Sequence, residues 1–259
     1  MEVIIRPDAM QAVSLVARLL TERIQQKPNS VFGFATGRTM ERVYERLAVA
    51  DVSFSECHSF NLDEYIGLPP GDPNSYRHYM NVHLFSKVNI DIKNTHVPDG
   101  SAEDLKRAAA EFEQKMVDAG GIDVQLLGIG EAGHIGFNEP LSSIMSRTRD
   151  KCLTLTTRAQ NAGMFGGDPE RVPKRALTMG VGTILKAREL ILLATGSAKA
   201  SIVAKAIEGP VTSMVSASAL QLHPNCKVVI DESAAAQLQG REYYDFVFAN
   251  EPEWAEFRD

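Results

Sequence analysis

Cysteine is scarce in this chain: Cys57, Cys152 and Cys226 are its only three, widely spaced and odd in number. That excludes a disulfide framework and a cysteine-built metal cluster, and the expectation is reduced thiols in a cytoplasmic protein. Excess basic charge is missing as well. The formal net charge is −6, and no Lys/Arg stripe is interleaved with aromatics, so no nucleic-acid partner is expected. No apolar run approaches the length that spans a bilayer, and the first residues lack a signal-peptide pattern, so no membrane partner is expected either. Internal repeats and low-complexity tracts are also absent.

What is present is ordinary globular material, with 44% hydrophobic and 23% charged residues. At 259 residues the chain suits one domain, 1–259, with a sizeable core. Short apolar runs at Val3 to Ile5, Val31 to Ala35, Cys57 to Leu62, Val124 to Leu127, Leu190 to Ala194 and Val228 to Ile230 predict strands. Stretches 8–25, 39–48, 102–118 and 198–208 show helical spacing, with Asp8, Thr39, Ser101 and Ser197 as N-caps. Strands alternating with helices imply an α/β fold with a mostly parallel central sheet covered by helices on both faces. Such sheets bind ligands beyond the carboxyl ends of their strands.

The sharp motifs follow strands. After the Val124–Leu127 run comes Gly128-Ile129-Gly130-Glu131-Ala132-Gly133-His134-Ile135-Gly136-Phe137-Asn138-Glu139-Pro140. His134 and Glu139 in such a turn can meet across one pocket as a general acid/base pair. Ala35-Thr36-Gly37-Arg38-Thr39 lies between a strand and a helix, where free N–H groups, hydroxyls and an arginine suit a phosphate. Helix capping alone also accounts for Gly and Thr at such a turn. Phe60-Asn61-Leu62-Asp63-Glu64-Tyr65 ends the third strand with adjacent carboxylates, which point apart, one toward the cleft and one into structural contacts. Lys199, in Gly196-Ser197-Ala198-Lys199, adds positive charge to a helix N-terminus that already favours anions. The glycine-rich segment Asn161 to Pro169 reads either as a surface loop or as part of a mobile lid at about 149–178.

These segments together resemble the glucosamine-6-phosphate deaminase (glucosamine-6-phosphate isomerase) family, and the likeness runs from the first strand to Leu220-Gln221-Leu222-His223-Pro224. The resemblance implies a modified Rossmann-like domain that converts glucosamine 6-phosphate to fructose 6-phosphate and ammonia, with no cofactor and no metal. It implies that Asp63 removes the C2 proton of the opened sugar, that His134 opens the ring and that Glu139 completes the relay. Thr36, Gly37, Arg38, Thr39 and Lys199 correspond to the phosphate site. Residues matching Ser142, Arg149 and Lys151 hold an allosteric amino-sugar phosphate between subunits in regulated members, which makes a homo-oligomer a further expectation.

Three departures stand out. Ala132 replaces a family aspartate that orients the histidine, and alanine can neither accept a hydrogen bond nor stabilise an imidazolium. Gly163 stands where the family has a phosphate-binding arginine, while Arg38 replaces a glycine. Arg38 either reaches the same phosphate from the loop beneath or pairs with Glu41 or Glu45 on the surface. Rival readings are a deaminase or isomerase for another sugar phosphate such as galactosamine 6-phosphate, a 6-phosphogluconolactonase-like hydrolase, and a non-catalytic sugar-phosphate sensor.

Overall fold

Short runs of leucine and β-branched residues, buried on both faces, build the centre of the molecule. The computed structural model describes residues 1–69 and 71–258. Its elements are β1 (Glu2–Arg6), α1 (Ala9–Gln26), β2 (Val31–Phe34), α2 (Arg38–Ala48), β3 (His58–Asn61), β4 (Asp63–Tyr65), α3 (Tyr76–Met80), β5 (Thr95–His96), α4 (Leu105–Asp118), β6 (Val124–Leu127), β7 (Arg149–Cys152), α5 (Leu155–Asn161), β8 (Arg175–Thr178), α6 (Val181–Ile184), β9 (Glu189–Ala194), α7 (Ala200–Ile207), β10 (Cys226–Asp231) and α8 (Arg241–Asn250). Among the described residues no helix is long and apolar enough to cross a membrane.

A seven-stranded sheet runs in the order β1-β10-β9-β6-β2-β3-β5, and every pairing in it is parallel. All residues of β2, β6 and β9 are buried, so apolar layers cover both faces of the sheet, as a parallel sheet requires. From β2 the chain winds outward to β3 and β5. It returns at β6, beside β2, and continues the other way through β9 and β10. The winding therefore reverses between β2 and β6, and the crevice beyond their carboxyl ends is the place where open α/β sheets bind ligands.

The six expected strands are all present, but the sequence reading missed β4, β5, β7 and β8. β4, β8 and β7 form a separate three-stranded sheet, antiparallel throughout, with Asp63 opposite Thr178 and Arg149 opposite the same threonine. The 149–178 segment thus begins and ends in hydrogen-bonded strands. Between them lie α5 and two 3-10 turns, Ala162–Phe165 and Pro169–Arg171.

Helix starts differ from the sequence expectation in three of four cases. Asp8 caps α1 by accepting from the Gln11 amide. Asp104 rather than Ser101 caps α4, accepting from the Arg107 amide. α2 begins after Gly37, not Thr39, and a 3-10 turn, Ser197–Lys199, follows Gly196 ahead of α7. Neither of these last two starts has a side-chain cap, so their first amides are open to a ligand.

Candidate active site

Four strand ends converge at the crevice. β3 leads into Asp63 and Glu64, which divide as their alternation predicts. Glu64 turns into the protein and accepts hydrogen bonds from the amides of Tyr65 at 2.8 Å, Tyr76 at 3.0 Å and Arg77 at 3.0 Å, fixing the start of α3. Asp63 is only 6% exposed. Burial, reinforced by the Glu64 charge and partly opposed by the Phe137 amide, pushes its carboxyl up to about 8. The turn over it needs glycine: Gly136 has a φ of +54°, and a Cβ there would stand 3.4 Å from Asp63 Oδ2 and 3.1 Å from Thr178 Oγ1.

The turn after β6 brings His134 and Glu139 together. Nδ1 of the histidine lies 3.5 Å from Oε2 of the glutamate, a charge contact rather than a formed hydrogen bond. Both atoms are buried and have no hydrogen-bond partner. Oε1 of Glu139 accepts from the Thr154 amide at 2.9 Å and the Thr154 hydroxyl at 3.2 Å. Burial raises the Glu139 carboxyl, but His134, Thr157 and the Thr154 amide outweigh it and hold the group at about 2. The imidazole packs on Gly130, where a Cβ would stand 2.1 Å from Nε2. Ala132 is half-buried and supplies no carboxylate to this pair.

Asn138 ties the turn to the rest of the site. Its Nδ2 donates to the carbonyls of Ile135 at 2.9 Å and Met179 at 2.8 Å, and its Oδ1 accepts from Arg149 Nη1 at 2.8 Å. Sequence reasoning assigned neither Asn138 nor Thr154 a role. The available signal for Thr154 was a threonine directly ahead of a helical stretch, and Thr154 caps α5.

The phosphate candidates lie at two uncapped starts. Gly37, with φ +126° and open space where a Cβ would be, precedes α2. Arg38 makes no ion pair with Glu41 or Glu45 among the described residues. Instead its Nη2 lies 3.2 Å from the position a Cβ would take at Gly163. Lys199 donates to the Ile129 carbonyl at 2.9 Å, and burial lowers its pKa against the opposing pull of Glu131. The Glu131 amide bonds Gln160 of α5 at 3.3 Å. Arg38 and the turn that carries Glu131 thus both touch the 149–178 segment. Asp231 at the end of β10 holds the Gly196 amide with both carboxylate oxygens at 3.0 Å.

The candidate allosteric residues are placed unevenly. Ser142 is buried with its Oγ unpartnered, and its amide bonds the Glu139 carbonyl at 3.0 Å. Arg149 is engaged with Asn138 within the chain, while the side chain of Lys151, on the same side of β7, has no hydrogen bond or ion pair among the described residues. A separate groove of about 470 Å³ runs between α4 and residues 147–150; it touches Arg149 but none of the catalytic candidates. Among the described residues no group of His, Cys, Asp and Glu side chains is placed to hold a metal ion.

Known proteins resemble this chain along nearly its whole length. Residues 8–229 match the family described as glucosamine-6-phosphate isomerases/6-phosphogluconolactonase. A glucosamine-6-phosphate deaminase of Streptomyces coelicolor is 45% identical over 98% of this chain and 99% of its own. One from Rhodopirellula baltica is 49% identical over 93% and 97%. A solved monomeric glucosamine-6-phosphate deaminase superposes with a TM-score of 0.88 at 40% identity, covering 92% of this chain and all of the other. A 6-phosphogluconolactonase from Trypanosoma brucei shares the fold alone, with a TM-score of 0.72 at 19% identity over 92% of this chain and 98% of the other. This chain belongs to the glucosamine-6-phosphate isomerase/6-phosphogluconolactonase family, on its glucosamine-6-phosphate deaminase side.

Proposed function

We propose that this chain converts glucosamine 6-phosphate and water to fructose 6-phosphate and ammonia. One observation carries the choice of an amino sugar: Asp63 is a buried carboxyl whose surroundings add another negative charge, Glu64, and no cation. Such a group is poorly ionised alone, and an ammonium group on the substrate supplies the missing positive charge and draws its pKa back down. A lactone brings no such charge.

In this reading the Arg38–Thr39 amides, the Arg38 guanidinium and Lys199 hold the phosphate. His134, oriented and charge-balanced by Glu139, shuttles the proton that opens the ring. Asp63 takes the proton from C2 and returns it to C1, which leaves an imine at C2. Water adds there and ammonia departs. Glu139 stands in for the carboxylate lost at Ala132, because its second oxygen is locked by Thr154. The lid expected at about 149–178 is the part between the paired strands β7 and β8, where Gly163 lies over Arg38 and Thr154 is bonded to Glu139. Placement as a cytoplasmic hydrolase of amino-sugar catabolism, acting on products of N-acetylglucosamine, belongs to the same reading. So does self-association through the region of Ser142, Arg149 and Lys151, which light scattering with and without an N-acetylated amino-sugar phosphate tests against the monomeric state.

The experiment is ammonia and ketose-phosphate release by purified protein from glucosamine 6-phosphate, galactosamine 6-phosphate and glucosamine. Equal yields of ammonia and fructose 6-phosphate from the first support the reading. Turnover of the second alone assigns the other epimer, and phosphate binding without turnover assigns a sensor.

A further inference from the structure

Two tyrosine hydroxyls reach the turn after β2. Tyr44 of α2 donates to the Ala35 carbonyl. Tyr79 donates to the Gly37 carbonyl at 2.8 Å. Neither was singled out by the sequence, and the reaction chemistry uses neither of them.

Tyr79 stands out for what it holds. Gly37 is the residue before α2, and no side chain caps that helix. Its carbonyl shares a rigid peptide plane with the Arg38 amide, and in a trans peptide C=O and N–H point opposite ways. The Gly37 oxygen also accepts from the amides of Met40 at 2.9 Å and Glu41 at 3.3 Å at the start of α2, and Tyr79 ties the same oxygen to α3; held this way, the peptide turns the Arg38 N–H out of the N-terminal end of the helix. Tyr79 is itself rigid. It is 7% exposed, its ring packs edge-on to Tyr44 at 6.5 Å and against His83 at 4.4 Å, and a π-helical turn, Asn81–Phe85, follows its helix. At the other end that helix is pinned by Glu64, the neighbour of Asp63. α3 is thus a strut between the proton-transfer carboxyl and the anion-binding turn.

We propose that Tyr79 is a positioning residue of phosphate recognition: its hydroxyl holds the Gly37 carbonyl so that the Arg38 amide points at the phosphate. The inference rests on the sugar-phosphate reading above. It is tested with Tyr79→Phe in the full chain, which removes one oxygen and keeps the ring packing. Inorganic phosphate binding is measured by calorimetry, and steady-state rates with glucosamine 6-phosphate are measured alongside. Loss of one net hydrogen bond's worth of alignment predicts phosphate binding weaker by about five-fold and a KM raised by a similar factor, with kcat within about two-fold of wild type. A merely structural role predicts instead a lower kcat or a lower melting temperature with phosphate affinity intact, and that result overturns the proposal. Wild-type protein that binds no phosphate overturns the sugar-phosphate reading and this inference with it. Wild-type binding that Tyr79→Phe leaves unchanged overturns this inference alone.

Discussion

The Arg38 guanidinium lies against the backbone of Gly163, its Nη2 3.2 Å from where a side chain there would begin. Two positions far apart in sequence share one volume, so an arginine at 163 and an arginine at 38 compete for the same space. The absence of a side chain at 163 makes room for the one at 38. Neither Glu41 nor Glu45 captures Arg38, which leaves its charge for a ligand.

Arg38→Ala is expected to raise the KM for glucosamine 6-phosphate about ten-fold or more, by loss of a charge-assisted contact, with a smaller effect on kcat. The exchange Arg38→Gly with Gly163→Arg is expected to recover most of that loss. An unchanged KM in the single variant contradicts the relocation of the phosphate arginine, and a double variant worse than the single contradicts the shared volume.

Asp63 titrates near 8 instead of its ordinary 3.8 because burial and Glu64 both oppose its charge. A raised carboxyl costs stability once it ionises, so that cost grows as pH climbs from about 4 through 8. For Asp63→Asn, the melting temperature of the variant minus that of the wild type is expected to increase between pH 5 and pH 8 and to level off above. A difference that is flat across this range contradicts the buried, uncompensated carboxyl.

Glu139 runs the other way. Its carboxyl, held at about 2 against an ordinary 4.5, contributes stability that is fully present above the unfolded value and is lost as pH falls toward 2. Glu139→Gln is therefore expected to melt below the wild type at pH 7, by about a few degrees, with the gap closing as pH drops toward 3. Thermal unfolding followed by circular dichroism reads this directly, and a gap that widens on acidification would count against the assignment.

Ala132→Asp restores a carboxylate near the His134–Glu139 pair at a half-buried position. Folding is expected to survive, and kcat is expected to rise or its pH optimum to move. If neither changes in a full pH–rate profile, Glu139 with its Thr154 anchor already provides all the orientation that the histidine needs.

The central fold was legible because its strands carry short, largely apolar runs. Val124–Leu127 and Glu189–Ala194 are buried at every position, and such runs announce a covered parallel sheet. The antiparallel sheet was not legible. Asp63–Tyr65 and Arg149–Cys152 are short and polar, and they become strands only by pairing with Arg175–Thr178, a partner distant from Asp63 in the chain. Local propensity carries no trace of such a pairing. Helix starts slipped for a related reason: Ser101 and Asp104 are both good caps, and only tertiary packing selects the second. At the site, motif likeness drew attention to Asp63, His134 and Glu139. The residues that brace the site's loops, Thr154, Asn138, Asp231 and Tyr79, are ordinary in sequence and are distinguished only by where their polar atoms end.

Ammonia release from glucosamine 6-phosphate by the wild type and by Asp63→Asn, side by side, tests the account most directly. The account predicts stoichiometric ammonia and fructose 6-phosphate from the wild type. It predicts a rate about 10²–10⁴-fold lower from the variant, since a carboxamide cannot take the C2 proton, with inorganic phosphate binding retained. No ammonia from folded, phosphate-binding wild-type protein, or a variant that turns over at the wild-type rate, contradicts it.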